Sequence, residues 1–152
     1  MTGFKLLEQA FSEGFRMQHV PNTDDLYLEI DMGLGTERYT YARLDNLKVQ
    51  QLVVLHGNQP LNGLPCFCLF YGTLEQLRGK GLTVKFIQQV LGQFKKDLRS
   101  GYGDEYYVES MIETDNEASL AIANKLFGEP SHDGADEISG ASTRIWQYKV
   151  TR

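Results

Sequence analysis

The chain has 152 residues, of which 41% are hydrophobic, and this combination suits one globular domain and excludes a disordered chain. Its formal net charge is -5, which makes it a poor general binder of nucleic acid or of an anionic membrane surface. We therefore expect one domain over residues 1–152, with neither nucleic acid nor membrane as a partner.

The cysteines and the N-terminal charges bear on location. Cys66 and Cys68 lie one residue apart in an apolar run, which favours two buried thiols over a redox pair or half a metal site. So few cysteines fit a reducing compartment. Charges such as Lys5 and Glu8 near the start do not resemble a signal peptide, and no apolar run approaches the roughly 18 residues of a membrane span. We therefore expect a cytoplasmic protein without a bound metal.

The first half of the chain predicts one helix followed by four strands. Apolar residues at helical spacing, from Phe4 to Phe15, predict a short amphipathic helix. Short alternating or apolar segments then predict strands over 26–30, 39–44, 49–55 and 66–71. Because the connections are short, neighbouring strands in this half are expected to be antiparallel.

The second half changes to helical spacing. A long amphipathic helix is predicted from Thr83 to Leu98, followed by a strand over 106–112. Thr114 precedes Glu117 by three residues, the spacing of a capping box, so the next helix is predicted to open at Thr114. Segment 131–140 is polar and loop-like, with room for a short strand, and 143–150 predicts a final strand.

This order of elements predicts an α+β fold with a mixed sheet. The strand–helix–strand unit over 66–112 must cross over, so its two strands are expected to be parallel. The remaining neighbours give a mostly antiparallel sheet flanked by helices.

The segment from Gln76 to Thr83 is a glycine turn between an apolar strand and a long helix. Glycines at 79 and 81 permit close approach to the backbone, and the first helix amides lack intrahelical partners and carry the positive end of the dipole. Arg78 and Lys80 add positive charge, so the turn suits a phosphate or pyrophosphate. Its glycine spacing fits neither the P-loop nor the dinucleotide fingerprint.

The pattern Gln76-x-x-Gly79-x-Gly81 in this context resembles the acyl-CoA signature of the GNAT superfamily of N-acetyltransferases. A second stretch, Asn116 through Ser119 to Lys125 and Gly128, is similar to the family's following helix. The resemblance implies the GNAT fold, with a parallel strand pair splayed at the acetyl-CoA site. It assigns acetyl-CoA, as co-substrate, to these positions: Gly72, Thr73, Arg78, Gly79, Lys80, Gly81, Leu82, Thr83, Asn116 and Ser119.

The resemblance also implies direct attack of an amine on the acetyl thioester. Glu113 is the predicted base, as the carboxylate expected nearest the splay, with Glu109 a second candidate on the same strand face. Tyr71 is the predicted acid. The alternatives are a solvent-facing or capping role for Glu113 and a packed sheet aromatic for Tyr71. At the position of the family's frequent tyrosine this chain has Ala123, which cannot act as an acid.

The predicted function is therefore an N-acetyltransferase acting on a primary amine of a small molecule or peptide. The alternative is a non-catalytic acyl-CoA-binding module with a sensing or regulatory role. A ribosome-directed acetyltransferase ranks lower, because an acidic chain is badly matched to RNA. Segments 17–36 and 131–142 are expected to select the acceptor, and the final strand offers an edge for a possible homodimer.

Overall fold

A computed structural model describes residues 2–152, which form one eight-stranded sheet with three α-helices. The helices are α1 (Gly3–Ser12), α2 (Leu82–Asp97) and α3 (Glu117–Phe127). The first strands are β1 (Gln18–His19), β2 (Leu26–Gly33), β3 (Thr36–Asp45) and β4 (Lys48–Leu61). The others are β5 (Leu64–Thr73), β6 (Glu105–Glu113), β7 (His132–Ala135) and β8 (Ser142–Thr151).

The strand order is β1-β2-β3-β4-β5-β6-β8-β7. Only β5 and β6 are paired in parallel, and the other neighbours are antiparallel. This confirms the predicted mixed, mostly antiparallel sheet. The final strand, β8, lies between β6 and β7, so the prediction that it offers a free edge is wrong: β7, formed by the segment expected to be mostly loop, covers it.

The larger core lies between the sheet and α2. Phe86, Ile87, Val90 and Phe94 recur at helical spacing and are at most 1% exposed, because this face of α2 packs on the sheet. Phe94 makes edge-to-face contacts with aromatic side chains of three strands: Tyr39, Phe67 and Tyr106. The helix that carries the glycine turn is therefore anchored along its length.

Helix α1 covers part of the opposite sheet face. Its Phe11 packs with Ala42, Leu44 and Val49 in a second buried cluster. Phe4 reaches β5, where its ring would lie 3.2 Å from a Cβ placed on Gly72. The absence of a side chain at Gly72 thus allows α1 to approach the end of β5.

The start of α3 differs from the prediction. The N-cap is Asn116, whose side chain accepts a hydrogen bond from the Ser119 amide at 3.2 Å. Thr114 instead donates its amide to the Ser142 carbonyl at 3.0 Å and so continues the β6–β8 pairing. The capping-box prediction failed because a second capping residue lies two positions further on.

None of the helices formed by residues 2–152 has the length and apolar character needed to cross a bilayer.

Candidate functional site

The centre of the site is a gap between β5 and β6. The two strands pair only through Cys66–Tyr107, Phe67–Val108 and Cys68–Glu109, and beyond these pairs β5 continues to Thr73 and β6 to Glu113 without pairing to each other. Both strands keep their other neighbours, β4 and β8. The divergence leaves one side of β5 from residue 69 onwards available to a ligand, as the GNAT resemblance implies.

The glycine turn lies at the open end of this gap. Gly79 and Gly81 have φ values of 77° and 72°, the left-handed region that favours glycine, and a Cβ at either position would meet no atom within 4 Å. Gly81 is the N-cap of α2 and has no side chain to accept from the first helix amides. These amides are therefore free to donate to an anion.

Side chains fix the turn to the end of β5. The Arg78 guanidinium donates from Nε to the Thr73 carbonyl at 2.9 Å. The Thr73 and Thr83 hydroxyls lie 2.7 Å apart and join β5 to the first turn of α2. The cationic group and the helix amides are consequently held beside the same strand end.

The first turn of α3 forms the opposite wall. A cavity of about 310 Å³ separates it from the glycine turn and the end of β5. Eight of the residues predicted for the site line this cavity: Tyr71, Gly72, Thr73, Arg78, Gly79, Thr83, Asn116 and Ser119. Lys80, Gly81 and Leu82 lie on the adjoining turn, outside the lining. Most of the predicted positions, distant in sequence, are thus brought together.

Tyr71 lies across the gap from α3. Its hydroxyl donates to the Ser119 carbonyl at 3.4 Å, a long contact between β5 and α3. Burial raises the pKa of Tyr71, opposed by the contact with Ser119, so the phenol stays protonated at neutral pH and can donate a proton. The geometry suits the predicted acid, although the same contacts also describe a packed sheet aromatic.

Glu113 does not lie where the sequence argument put it. The last parallel pair is Cys68–Glu109, so the strands begin to diverge at Glu109, and Glu113 is four residues further along β6 at its exposed end. Glu109 is therefore the carboxylate at the narrow end of the gap. Sequence spacing could not reveal this, because the register of a parallel pair depends on the crossover.

Glu109 is held by neutral groups. It accepts from Gln147 Nε2 at 2.8 Å and from Asn58 Nδ2 at 3.4 Å, and the Cys68 thiol lies 3.8 Å away. None of these three partners is a cation, so none of them forms an ion pair with Glu109.

Ala123 is only 1% exposed and packs with Ile112 and Trp146. The position of the family's tyrosine therefore faces the packed interface between α3 and the sheet in this chain, rather than the gap. Among residues 2–152 no group of three or more His, Cys, Asp or Glu side chains is arranged to hold a metal ion.

Sequence reasoning overlooked Gln51. It is completely buried on β4, where its side chain bonds to Thr73 of β5 and Leu82 of α2. The signal was present in the sequence, because alternation places Gln51 on the same strand face as the apolar Val53 and Leu55. A polar residue at such a position is expected to be buried and bonded.

Solved structures provide the comparison with known proteins. A GNAT-family acetyltransferase from Streptococcus pneumoniae is 17% identical with a TM-score of 0.54, over 74% of this chain and 66% of that chain. The ribosomal-protein-S5-alanine acetyltransferase from Vibrio fischeri is 10% identical with a TM-score of 0.58, over 76% and 62%. The ribosomal L7/L12 alpha-N-protein acetyltransferase RimL, in complex with coenzyme A, is 15% identical with a TM-score of 0.55, over 74% and 62%.

These likenesses show that the chain has the fold of the GNAT acetyltransferases. The match covers less than two thirds of the length of each of these three proteins. No protein-family model and no curated protein sequence matches the chain.

Proposed function

We propose that this protein is an acetyl-CoA-dependent N-acetyltransferase that acts on a primary amine of a small molecule or peptide. The observation that carries the proposal is the cavity that joins the unpaired side of β5 to the open glycine turn of α2. A linear thioester with an anionic pyrophosphate fits both parts: its amide-bearing arm along β5 and its phosphates at the helix amides and Arg78.

The acceptor is proposed to approach from the α1 side of the sheet. A larger cavity of about 710 Å³ lies between α1 and β5, and Tyr71, Gly72 and Thr73 line both cavities. Co-substrate and amine would then meet at β5 from opposite faces, and this proximity would supply much of the rate. Neighbouring structures include an enzyme named for a ribosomal protein and a complex bound to a peptide, which supports a peptide acceptor.

The chemistry needs a group that removes a proton from the ammonium form of the acceptor. Glu113 stays a sequence-based prediction for this role, whereas the geometry favours Glu109. Glu109 lies at the narrow end of the gap. Its carboxylate is 3.8 Å from the Cys68 thiol, on the sheet face that α1 partly covers. Tyr71 is the proposed donor to the departing thiolate, a fair leaving group whose reference pKa is about 8.5.

The first experiment is calorimetric titration of the purified protein with acetyl-CoA, CoA and ATP. Micromolar binding of both CoA species but not ATP is expected, because ATP lacks the arm that lies along β5. A folded protein that binds neither CoA species would refute the proposal. Binding would be followed by a screen of amines for turnover, with a reducing, cytoplasmic-type buffer because Cys66 and Cys68 are free thiols.

Two variants then separate the candidate bases. Glu109→Gln is expected to lower kcat about 100-fold and to remove the acid limb of its pH profile, while CoA affinity stays unchanged. Glu113→Gln, a carboxylate of the same strand face, is the matched control and is expected to keep the limb. The reverse outcome would assign the base to Glu113.

The second candidate function is a non-catalytic acyl-CoA-binding module. The observation that favours it is the burial of Ala123 at the position of the family's tyrosine. CoA binding without turnover of any amine, unaffected by Glu109→Gln or Glu113→Gln, would support this candidate instead.

A further inference from the structure

Gln51 is the most deeply buried polar side chain near the site. Its exposure is 0%, and it stands on β4 directly opposite Thr73 of β5. Burying an amide is unfavourable unless its donors and acceptor are paired. The partners of Gln51 therefore indicate what its presence achieves.

The partners also fix the orientation of the amide. Its oxygen accepts from Arg43 Nη1 at 2.6 Å, and its nitrogen donates to the Leu82 carbonyl at 3.1 Å. A guanidinium can only donate and a carbonyl can only accept, so exchanging oxygen and nitrogen would break both bonds. The side chain thus ties β3 and β4 to the first turn of α2.

The remaining bond gives the network a direction. The Gln51 nitrogen also donates to the Thr73 hydroxyl at 3.1 Å. The Thr73 and Thr83 hydroxyls lie 2.7 Å apart, and either can donate to the other. Accepting from Gln51 polarises the Thr73 hydroxyl and favours it as the donor of that bond. The hydrogen of Thr83 is then left for a third group. Thr83 lines the 310 Å³ cavity together with Arg78 and Gly79, so that third group would be a ligand there.

We propose that Gln51 is a positioning residue that, through Thr73, directs the Thr83 hydroxyl into the cavity as a donor to the pyrophosphate of the co-substrate. The inference rests on the proposed function and adds a residue that does not itself touch the ligand. Its bond to the Leu82 carbonyl holds the first turn of α2 in register with β5, so the hydroxyl and the helix amides converge on the same anion.

The test compares two ligands, one with the phosphates and one without. Gln51→Glu keeps the chain length and can still accept from Arg43, but its carboxylate cannot donate to Thr73 or Leu82. We expect this variant to bind CoA about ten-fold more weakly, while its affinity for pantetheine stays within about two-fold of wild type. CoA affinity is measured by calorimetry and pantetheine affinity by NMR titration of the protein.

Variants of Thr83 keep the proposal testable if the buried substitution impairs folding. Thr83→Val is expected to reproduce the loss for CoA alone, and Thr83→Ser, which retains the hydroxyl, is expected to restore the affinity. The double variant Gln51→Glu/Thr83→Val is expected to lose less than the sum of the two single losses, because both changes remove the same hydrogen bond from Thr83 to the ligand.

Three results would overturn the inference: unchanged CoA affinity in folded Gln51→Glu or Thr83→Val, an equal loss for CoA and pantetheine, or additive losses in the double variant. An equal loss of affinity for CoA and pantetheine would mean that Gln51 only maintains the structure. Failure of the wild-type protein to bind CoA would instead remove the proposed function itself, so the two failures are distinguishable.

Discussion

At the scale of single residues, Gly81 combines two requirements. Its backbone is left-handed, with φ of 72°, and the space beside it is open. A side chain there meets strain from the backbone and, in the proposed function, occupies the position of the ligand. Gly140, in the β7–β8 connection, has the same φ of 72° and the same open surroundings but lies outside the site.

This pair of glycines gives a matched prediction. Gly81→Asp is expected to abolish CoA binding, because it places a carboxylate where the pyrophosphate is proposed to lie. Gly140→Asp carries a similar backbone strain of about 1 kcal/mol but is expected to bind CoA normally. Calorimetry on both variants, after thermal denaturation shows that they fold, checks this. Normal binding by folded Gly81→Asp would contradict the assignment of the turn.

Cys68 is a thiol with an unusual environment. Burial and the nearby Glu109 carboxylate raise its pKa to about 11, so little thiolate forms at neutral pH. We expect slow alkylation by iodoacetamide at pH 7, with a rate that increases with pH up to about 11. Glu109→Gln is expected to accelerate alkylation at a given pH, because a negative charge is removed. Rapid alkylation of Cys68 at pH 7 in a Cys66→Ser background would contradict the environment described.

At the scale of elements, packing against the sheet positions α3, and the capping pattern that predicted this helix from the sequence does not. Trp146 is 1% exposed and donates from Nε1 to the Gly128 carbonyl at 2.9 Å, just beyond the end of α3. Ala123 faces this contact. The small residue at 123 is therefore part of a close interface between helix and sheet.

A tyrosine at position 123, where the GNAT resemblance implies a frequent tyrosine, is therefore not expected to supply an acid in this chain. Ala123→Tyr would overpack the interface with Ile112 and Trp146 and lower the free energy of unfolding by about 1–3 kcal/mol. It should leave turnover unimproved. Denaturant unfolding measures the first effect and kcat the second. A stable Ala123→Tyr variant with higher kcat would show that α3 can rotate this position towards the gap.

Some elements could be read from the sequence and others could not. The long helix of residues 82–97 has a clear apolar face, and its prediction was correct within a residue. Strand β1, with only two residues, carries no periodicity to detect. The start of α3 was misassigned because Thr114 and Asn116 are both good caps, and only the β6–β8 pairing decides between them.

At the scale of the whole molecule, the proposed ligand and the chain are both negatively charged. The formal net charge of -5 would repel CoA at long range, whereas Arg78 and Lys80 attract it locally. Salt screens both effects, so the sign of the salt dependence tells which one dominates. Because the proposed contacts are close and the repulsion is spread over the surface, we expect the local attraction to dominate.

CoA affinity is accordingly expected to fall several-fold between about 0.05 M and about 0.5 M NaCl. Lys80→Gln should reduce this dependence. Lys96→Gln, an exposed lysine at the other end of α2, is the matched control with the same change in net charge. An affinity that rises with salt would mean that the total charge, rather than the glycine turn, governs binding.

The fold was predictable because two separate motifs and the order of elements agreed. The functional site was less predictable than the fold. Local patterns identified the glycine turn, and strand alternation indicates the burial of Gln51. The position of Glu109 and the partners of Gln51 depend on which residues face each other across strands, and one sequence does not contain that register. The fold likeness to solved structures does not supply it either, at identities of 10–17%.

The divergence of β5 and β6 also bears on solubility. A sheet with exposed edges invites other chains to add strands, which is a route to aggregation. This sheet also has unpaired backbone in its interior, in residues 69–73 of β5 and 110–113 of β6, on either side of the gap. The gap is closed at one end by the Cys68–Glu109 pair and bridged on the helix side by Tyr71 and Ser119. A neighbouring polypeptide cannot readily enter such a slot, so the protein can offer hydrogen-bonding backbone to a slender ligand without inviting self-association there.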